Sequence, residues 1–177
     1  MVRNVKVFIG HKIDGPNGEN EKIAQRIESA LKTYDPDITV WRAVERMHLG
    51  DEKDRKFAHN IRNSTHYIVI VSCEYIDTDS NYISKETTTA KTLGLPICPI
   101  IFNDRAGEKT IAYLKNKNKP LYDIIVASHY ISKEDIETQI APAIEQWKSE
   151  QQIATLKLCA TGLFLAFLLG LLHQMSK

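Results

Sequence analysis

Cysteine is scarce in this chain, and the three present, Cys73, Cys98 and Cys159, lie far apart in apolar settings. That excludes a disulfide frame and any metal-ligand spacing, and it fits reduced packing residues in a cytosolic domain, with no metal expected. Charge of either sign is also not in excess. The 23 basic and 22 acidic residues are interspersed and leave a net charge of +1, so no stripe recommends a nucleic-acid backbone as partner. The single basic cluster, Lys115, Lys117 and Lys119, reads as a solvated loop. Glycine-rich phosphate loops are missing too: GHKIDGPNG, residues 10–18, has neither the GxGxxG spacing nor a terminal Lys-Ser/Thr. The apolar part of MVRNVKVFIGH is too short for a secretory signal core.

What is present is an alternation of short apolar runs and amphipathic segments. Val5 to Ile9 reads as a strand, Glu19 to Tyr34 as a helix with Ile23, Ile27, Ala30, Leu31 and Tyr34 on one face, and Asp35-Pro36-Asp37 as its stop. Ile38 to Trp41 is a second strand, followed by a polar loop to Gly50. Acidic Asp51, Glu52 and Asp54 then open a helix that turns Phe57, Ala58 and Ile61 inward. The near-continuous apolar run Tyr67 to Val71 reads as a strand buried on both faces. The helix after it spaces Ile83, Thr87, Ala90 and Leu93 by four, three and three, with Glu86 at the margin of that face. Gly94 reads as its C-cap. Leu95 to Phe102 is a fourth strand, irregular or near an edge because Pro96 and Pro99 lack donors. Thr110 to Lys117 is a short helix and Leu121 to Val126 a candidate fifth strand. Ser132 and Asp135 open a last helix in near capping-box style, with Ile136, Ile140, Ile144 and Trp147 buried and Pro142 bending it. This order predicts an α/β fold, a doubly wound parallel sheet of four to five strands flanked by helices, over residues 1–150.

The C-terminal stretch differs in kind. Leu158 to Leu172 carries no charge, and extension back to Ile153 adds only Lys157. As a helix, Ile153 to Leu172 would be about 30 Å long, enough to span a bilayer. A helix buried in an oligomer's core is the alternative, but a helix apolar all round has no place to hide in so small a domain. Membrane insertion of residues 153–173 as a single-pass anchor, with the domain facing the cytoplasm, is therefore the expectation. Gly162, Ala166 and Gly170 would give that helix one smooth face.

Four stretches carry a family resemblance in their order: VKVFIGHK (Val5 to Lys12), TVWRAVERMHLGD (Thr39 to Asp51), IRNSTHYIVIVSCEYI (Ile61 to Ile76) and NYISKETTTA (Asn81 to Ala90). Together they resemble the Toll/interleukin-1 receptor (TIR) domain from Val5 to about Trp147, which implies a flavodoxin-like fold. In that family a first strand ends in Phe-Ile-Ser-His/Tyr, the second leads through a loop to a Gly, the third closes on a Ser, and the next helix carries Trp-x-x-x-Glu. Here Phe8, Ile9, Gly10 and His11, then Gly50, Ser72 with Tyr75, and Tyr82 with Glu86 hold those places. Gly10 stands for the usual Ser, Tyr82 for the usual Trp, and Ala43 where many relatives have an acidic residue.

The resemblance implies an NAD+ hydrolase that breaks the bond between nicotinamide and ribose, with NAD+ as a consumed substrate and no further cofactor. Glu86 takes the catalytic place, because a fixed anion stabilises the positive charge left on the ribose as nicotinamide departs. Gly10, His11, Lys12, Arg42, Ser72 and Tyr82 would line the nucleotide side. Trp41, Arg42 and His48 lie in or beside the loop that the family uses for self-assembly with other TIR domains. Each residue has a plainer reading: Glu86 and His11 as solvated polar residues, Tyr82 as a packing aromatic, Trp41 as core. The competing functions are a non-catalytic TIR adaptor at a membrane and another flavodoxin-like nucleotide binder related to deoxyribosyltransferases.

Overall fold

Five parallel strands in the order β2-β1-β3-β4-β5 form the frame of the computed structural model. It describes residues 5–11, 18–42, 53–71, 81–101, 105–127, 131–147 and 149. In chain order the elements are β1 (Lys6–Gly10), α1 (Glu19–Tyr34), β2 (Thr39–Arg42), α2 (Lys53–Arg62), β3 (His66–Val71), α3 (Asn81–Thr92), β4 (Ile97–Ile101), α4 (Arg105–Lys117), α5 (Lys119–Ala127) and β5 (Ile131–Ser132). Helical residues 136–147 follow a short 3-10 turn, Lys133–Asp135. The chain steps from β1 outward to β2, then returns past β1 to β3 on its other side. The strand order therefore reverses between β1 and β3, where open α/β sheets leave a crevice at the strands' carboxyl ends.

All six residues of β3 are buried, as a strand covered on both faces requires. One face of the sheet contributes Phe8, Tyr67, Val69 and Val71 to a core shared with Ile61 of α2, Ala90 of α3, Leu114 of α4 and Leu121 and Ile125 of α5. Trp41 is half-buried at the edge of this cluster. On α1 the buried apolar residues are Ile23, Ala24, Ile27 and Leu31, while Ala30 is half-buried and Tyr34 is exposed. Each such isoleucine or leucine is worth about 1.5–3 kcal/mol when withdrawn from water.

Three details depart from the sequence expectations. Leu121 to Val126 is helix, within α5, and the fifth strand is Ile131–Ser132. The helix forms because Leu121, Ile124 and Ile125 share one face, Pro120 sits in the first turn, and the Asn118 side chain accepts from the Leu121 amide at 3.3 Å. Lys115, Lys117 and Lys119 are helical: the first two end α4 and Lys119 begins α5, where it pairs with Asp123. Leu93 lies just past the end of α3 at Thr92 and is 44% exposed, and Gly94 at φ 68° turns the chain after it. As expected, β4 lies near an edge: only β5 is beyond it, pairing with Ile100 and Ile101 alone, so Pro99 falls outside that short ladder.

Two compact units divide the chain, residues 1–141 and 142–177. In the second, Ala143, Ile144 and Trp147 are buried. The apolar segment Ile153 to Leu172 lies outside the described residues. Among the described residues no helix is long and apolar enough to cross a membrane.

His66 opens β3 fully buried, with Nδ1 2.8 Å from the Thr65 hydroxyl, and burial lowers its pKa to about 4. The folded protein therefore binds this proton less readily than the unfolded chain. The resulting stability is fully present above pH 6.5 and is lost as pH falls toward 4, by about 3 kcal/mol at about 1.4 kcal/mol per pH unit. Urea unfolding of wild type and His66→Gln between pH 7 and 4 checks this, and the variant should lack that share of the acid slope.

Candidate active site

Glu86 lies midway along α3, beside Thr87 and Ala90, which face the sheet. It is itself only 5% exposed. A side chain expected at the margin of the buried face is thus drawn fully inward. Its Oε2 accepts a hydrogen bond from the Tyr67 hydroxyl at 3.3 Å, and that hydroxyl is 3.5 Å from Thr87 Oγ1. Tyr67 belongs to β3 and points its polar tip toward the end of β1. A Cβ built on Gly10, the last residue of β1, would stand 2.5 Å from Tyr67 Oη and 2.7 Å from Glu86 Oε2. The carboxyl group is therefore seated at the carboxyl end of β1 and is bonded to β3, the two strands between which the sheet order reverses.

Burial pushes the Glu86 pKa up to about 8, although the Tyr67 hydrogen bond acts in the opposite direction. Tyr67, fully enclosed and next to Glu86, is raised well above its ordinary value. At neutral pH the site thus holds a largely protonated acid that a nearby cation would ionise. The absence of a side chain at Gly10 is what admits both oxygens. Gly10→Ala is expected to cost about 1–3 kcal/mol in urea unfolding, as overpacking of a filled site does, and to displace the Glu86 carboxyl.

A second cluster forms around Glu21 of α1. His11, immediately after β1 and 2% exposed, brings Nε2 to 3.4 Å from Glu21 Oε2. The other Glu21 oxygen meets Arg42 Nη1 and accepts from Gln25 at 2.9 Å. Arg42 Nε lies 2.8 Å from Glu28 Oε2. Arg42, expected to face the nucleotide, is tied here to two carboxylates of α1. His11, read as either ligand or solvated loop residue, is enclosed.

The structure thus brings Gly10 and Glu86 together, and His11 and Arg42 into a separate group around Glu21. Tyr82 is the second residue of α3, but its side chain, like Lys12, Ser72 and His48, lies outside the described residues. Sequence reasoning passed over Tyr67 and Glu21. A tyrosine in an otherwise apolar buried strand needs a partner for its hydroxyl, which was the available signal. Glu21 precedes buried Ala24 by three residues and so shares the inward face of α1. Among the described residues no group of three or more His, Cys, Asp or Glu is arranged to hold a metal ion. A groove of about 720 Å³ is lined elsewhere, by Lys22, Arg26, Tyr34, Glu137, Ile140 and Ala141 among others. Its polar partners Arg26 and Glu137 are exposed and paired with each other, so it offers no poised chemical group, and Glu86 is the stronger candidate.

No family model matches the sequence, and no curated protein matches it. Solved structures do. A conserved protein from Enterococcus faecalis V583 superposes with a TM-score of 0.57 at 13% identity, over 79% of this chain and 99% of that one. The TIR domains of the activated Roq1 resistosome, which directly recognises the pathogen effector XopQ, superpose with a TM-score of 0.55 at 12% identity, over 80% of this chain and 99% of that one. At such identities the likeness speaks to the fold, and that fold, five parallel strands flanked by helices, is similar to the fold of TIR domains.

Proposed function

We propose that this chain is a TIR-type NAD+ hydrolase, tethered to a membrane through Ile153 to Leu172 and activated by self-association. The observation that carries the reading is the Glu86 carboxyl, buried at the carboxyl end of β1 where the strand order reverses. In the proposed reaction the bond between C1′ of the ribose and the nicotinamide nitrogen breaks, and nicotinamide leaves with the electron pair. Glu86 faces the positive charge left on the ribose. Water then bonds to C1′ and loses a proton, giving ADP-ribose, whereas attack by an atom of the same nucleotide gives a cyclic product. The cationic nicotinamide ring of NAD+ would itself favour the ionised form of Glu86. A low-dielectric surrounding strengthens that attraction, which is the gain from burying the carboxyl.

Roq1 TIR domains belong to a resistosome, an assembly, and a role in immune or antiviral defence is part of this proposal. A membrane tail confines domains to a plane and raises their effective concentration, so density on the membrane would act as the switch. The competing reading, a non-catalytic adaptor that recruits other TIR domains, draws on the same seclusion of Glu86, which at 5% exposure is sealed as the fold stands. Full-length protein is bound to phosphatidylcholine vesicles at increasing density, supplied with NAD+, and free nicotinamide is measured. The hydrolase reading expects release that grows faster than protein density and vanishes in Glu86→Ala. No release at any density leaves the adaptor.

A further inference from the structure

We infer that the Tyr67 hydroxyl is the positioning group for the Glu86 carboxyl, holding its Oε2 edge against the end of β1 in the space that Gly10 leaves open. The inference deepens the hydrolase reading and rests on it for its functional meaning. A glutamate side chain has three rotatable bonds whose freedom is lost on ordering, so a partner that selects one orientation matters. Tyr67 is suited to that task because its own ring is enclosed. It is fully buried on β3 and stacked on Phe8 with centroids 6.0 Å apart at 16°. From this platform Oη reaches Glu86 Oε2 at 3.3 Å and Thr87 Oγ1 at 3.5 Å. Gly10 closes the third side, where a Cβ would meet Oη at 2.5 Å. A side chain at position 10 would thus collide with the Tyr67 hydroxyl, with its ring carbon Cε2 at 2.9 Å and with Glu86 Oε2 at 2.7 Å, so the pair as a whole requires the glycine.

The same bond biases ionisation. A hydroxyl donates to a carboxylate about twice as strongly as to a neutral acid, so Tyr67 favours the anion while burial opposes it. Among the described side chains, the other ionisable groups on elements packed against α3 are placed differently: His66 opens β3 buried beside Thr65, and Tyr122 of α5 is half-buried. His59 and Arg62 of α2 and Lys119 and Asp123 of α5 are exposed, Cys98 of β4 is buried, and on α3 itself Lys85 and Lys91 are exposed. His11, next to Gly10, faces Glu21.

The test uses full-length protein in detergent micelles with 13C-labelled glutamate carboxyls, so that the Glu86 titration is read directly by NMR. Tyr67→Phe deletes one oxygen and keeps the ring. Its Glu86 midpoint should move up by about one pH unit, the worth of one such hydrogen bond, and the pH profile of kcat/KM for nicotinamide release should move with it. Gly10→Ala should melt earlier than wild type. Adding Tyr67→Phe to it should recover only part of the melting temperature, because the Cβ would still stand 2.7 Å from Glu86 Oε2 and 2.9 Å from ring carbon Cε2, and it should leave the midpoint raised, which a merely packing role for Tyr67 would not produce. An unchanged midpoint in folded Tyr67→Phe overturns the inference. If the midpoint moves while wild type releases no nicotinamide, the positioning role stands and the hydrolase reading falls. If wild type releases nicotinamide and Tyr67→Phe alters neither midpoint nor profile, the positioning role alone falls.

Discussion

Replacement of Glu86 by glutamine should lower nicotinamide release by about 10²–10³-fold and, at pH 8, make the protein harder to unfold. The first effect is what the proposed hydrolysis requires, since it would remove a preorganised charge opposite the ribose, for which losses of about that size are usual. The second follows from burial. The folded protein holds the Glu86 proton up to about pH 8, whereas the unfolded chain releases it near 4.5. This group's contribution to stability is therefore fully present below pH 4.5 and is lost as pH rises toward 8. At about 1.4 kcal/mol per pH unit the loss approaches about 5 kcal/mol. Glutamine keeps the shape and the acceptor for Tyr67 and has no proton to lose, so Glu86→Gln should gain about 2–4 kcal/mol over wild type at pH 8 and nothing at pH 4. Urea unfolding at the two pH values reads both numbers. A residue that only supported the fold would cost stability when replaced; one retained at a cost to stability points to function.

The hydrolysis rate should climb about 10²-fold between pH 6 and pH 9 when measured as kcat/KM, which reports the free enzyme. At pH 6 only about one site in a hundred carries the Glu86 anion, and at pH 9 most do, given a midpoint of about 8. With NAD+ bound, the pyridinium charge favours the anion, so the limb in kcat should lie at lower pH than the limb in kcat/KM. A flat profile in kcat/KM would remove Glu86 from the rate-determining chemistry. His66 titrates in the opposite sense for stability, between pH 6.5 and 4, so the two groups partly offset each other in wild type. The Glu86→Gln protein should therefore show a steeper loss of stability on acidification than wild type.

Much of the sheet was legible because its signals are local. The helix Glu19–Tyr34 has the bounds that its apolar spacing and the Asp35-Pro36-Asp37 stop define, and β3 is as buried as an uninterrupted apolar run implies. Six residues such as Leu121 to Val126 were not, because a short apolar run fits a buried strand or a helix face equally. The decision there came from the Asn118 cap and Pro120. The site divides in the same way. Spacing put Glu86 near the inner face of its helix, while the apolar run ended the first strand at Ile9 and left Gly10, which closes β1, in the loop beyond it. That the two touch depends on Tyr67, whose hydroxyl joins residues 10, 67 and 86 through contacts between β1, β3 and α3. Arg42 shows the same limit. Its partners Glu21 and Glu28 are on another element, and only the parallel pairing of β1 with β2 brings β2 beside the helix that follows β1.

The most direct measurement is the nicotinamide set free from NAD+ at pH 8.5 by densely loaded vesicles of the full-length chain, with Glu86→Gln at equal density alongside. Wild type should release nicotinamide steadily, and the variant at least about a hundredfold less. Equal release by the two, or none from wild type while the protein remains folded, would contradict the hydrolase reading.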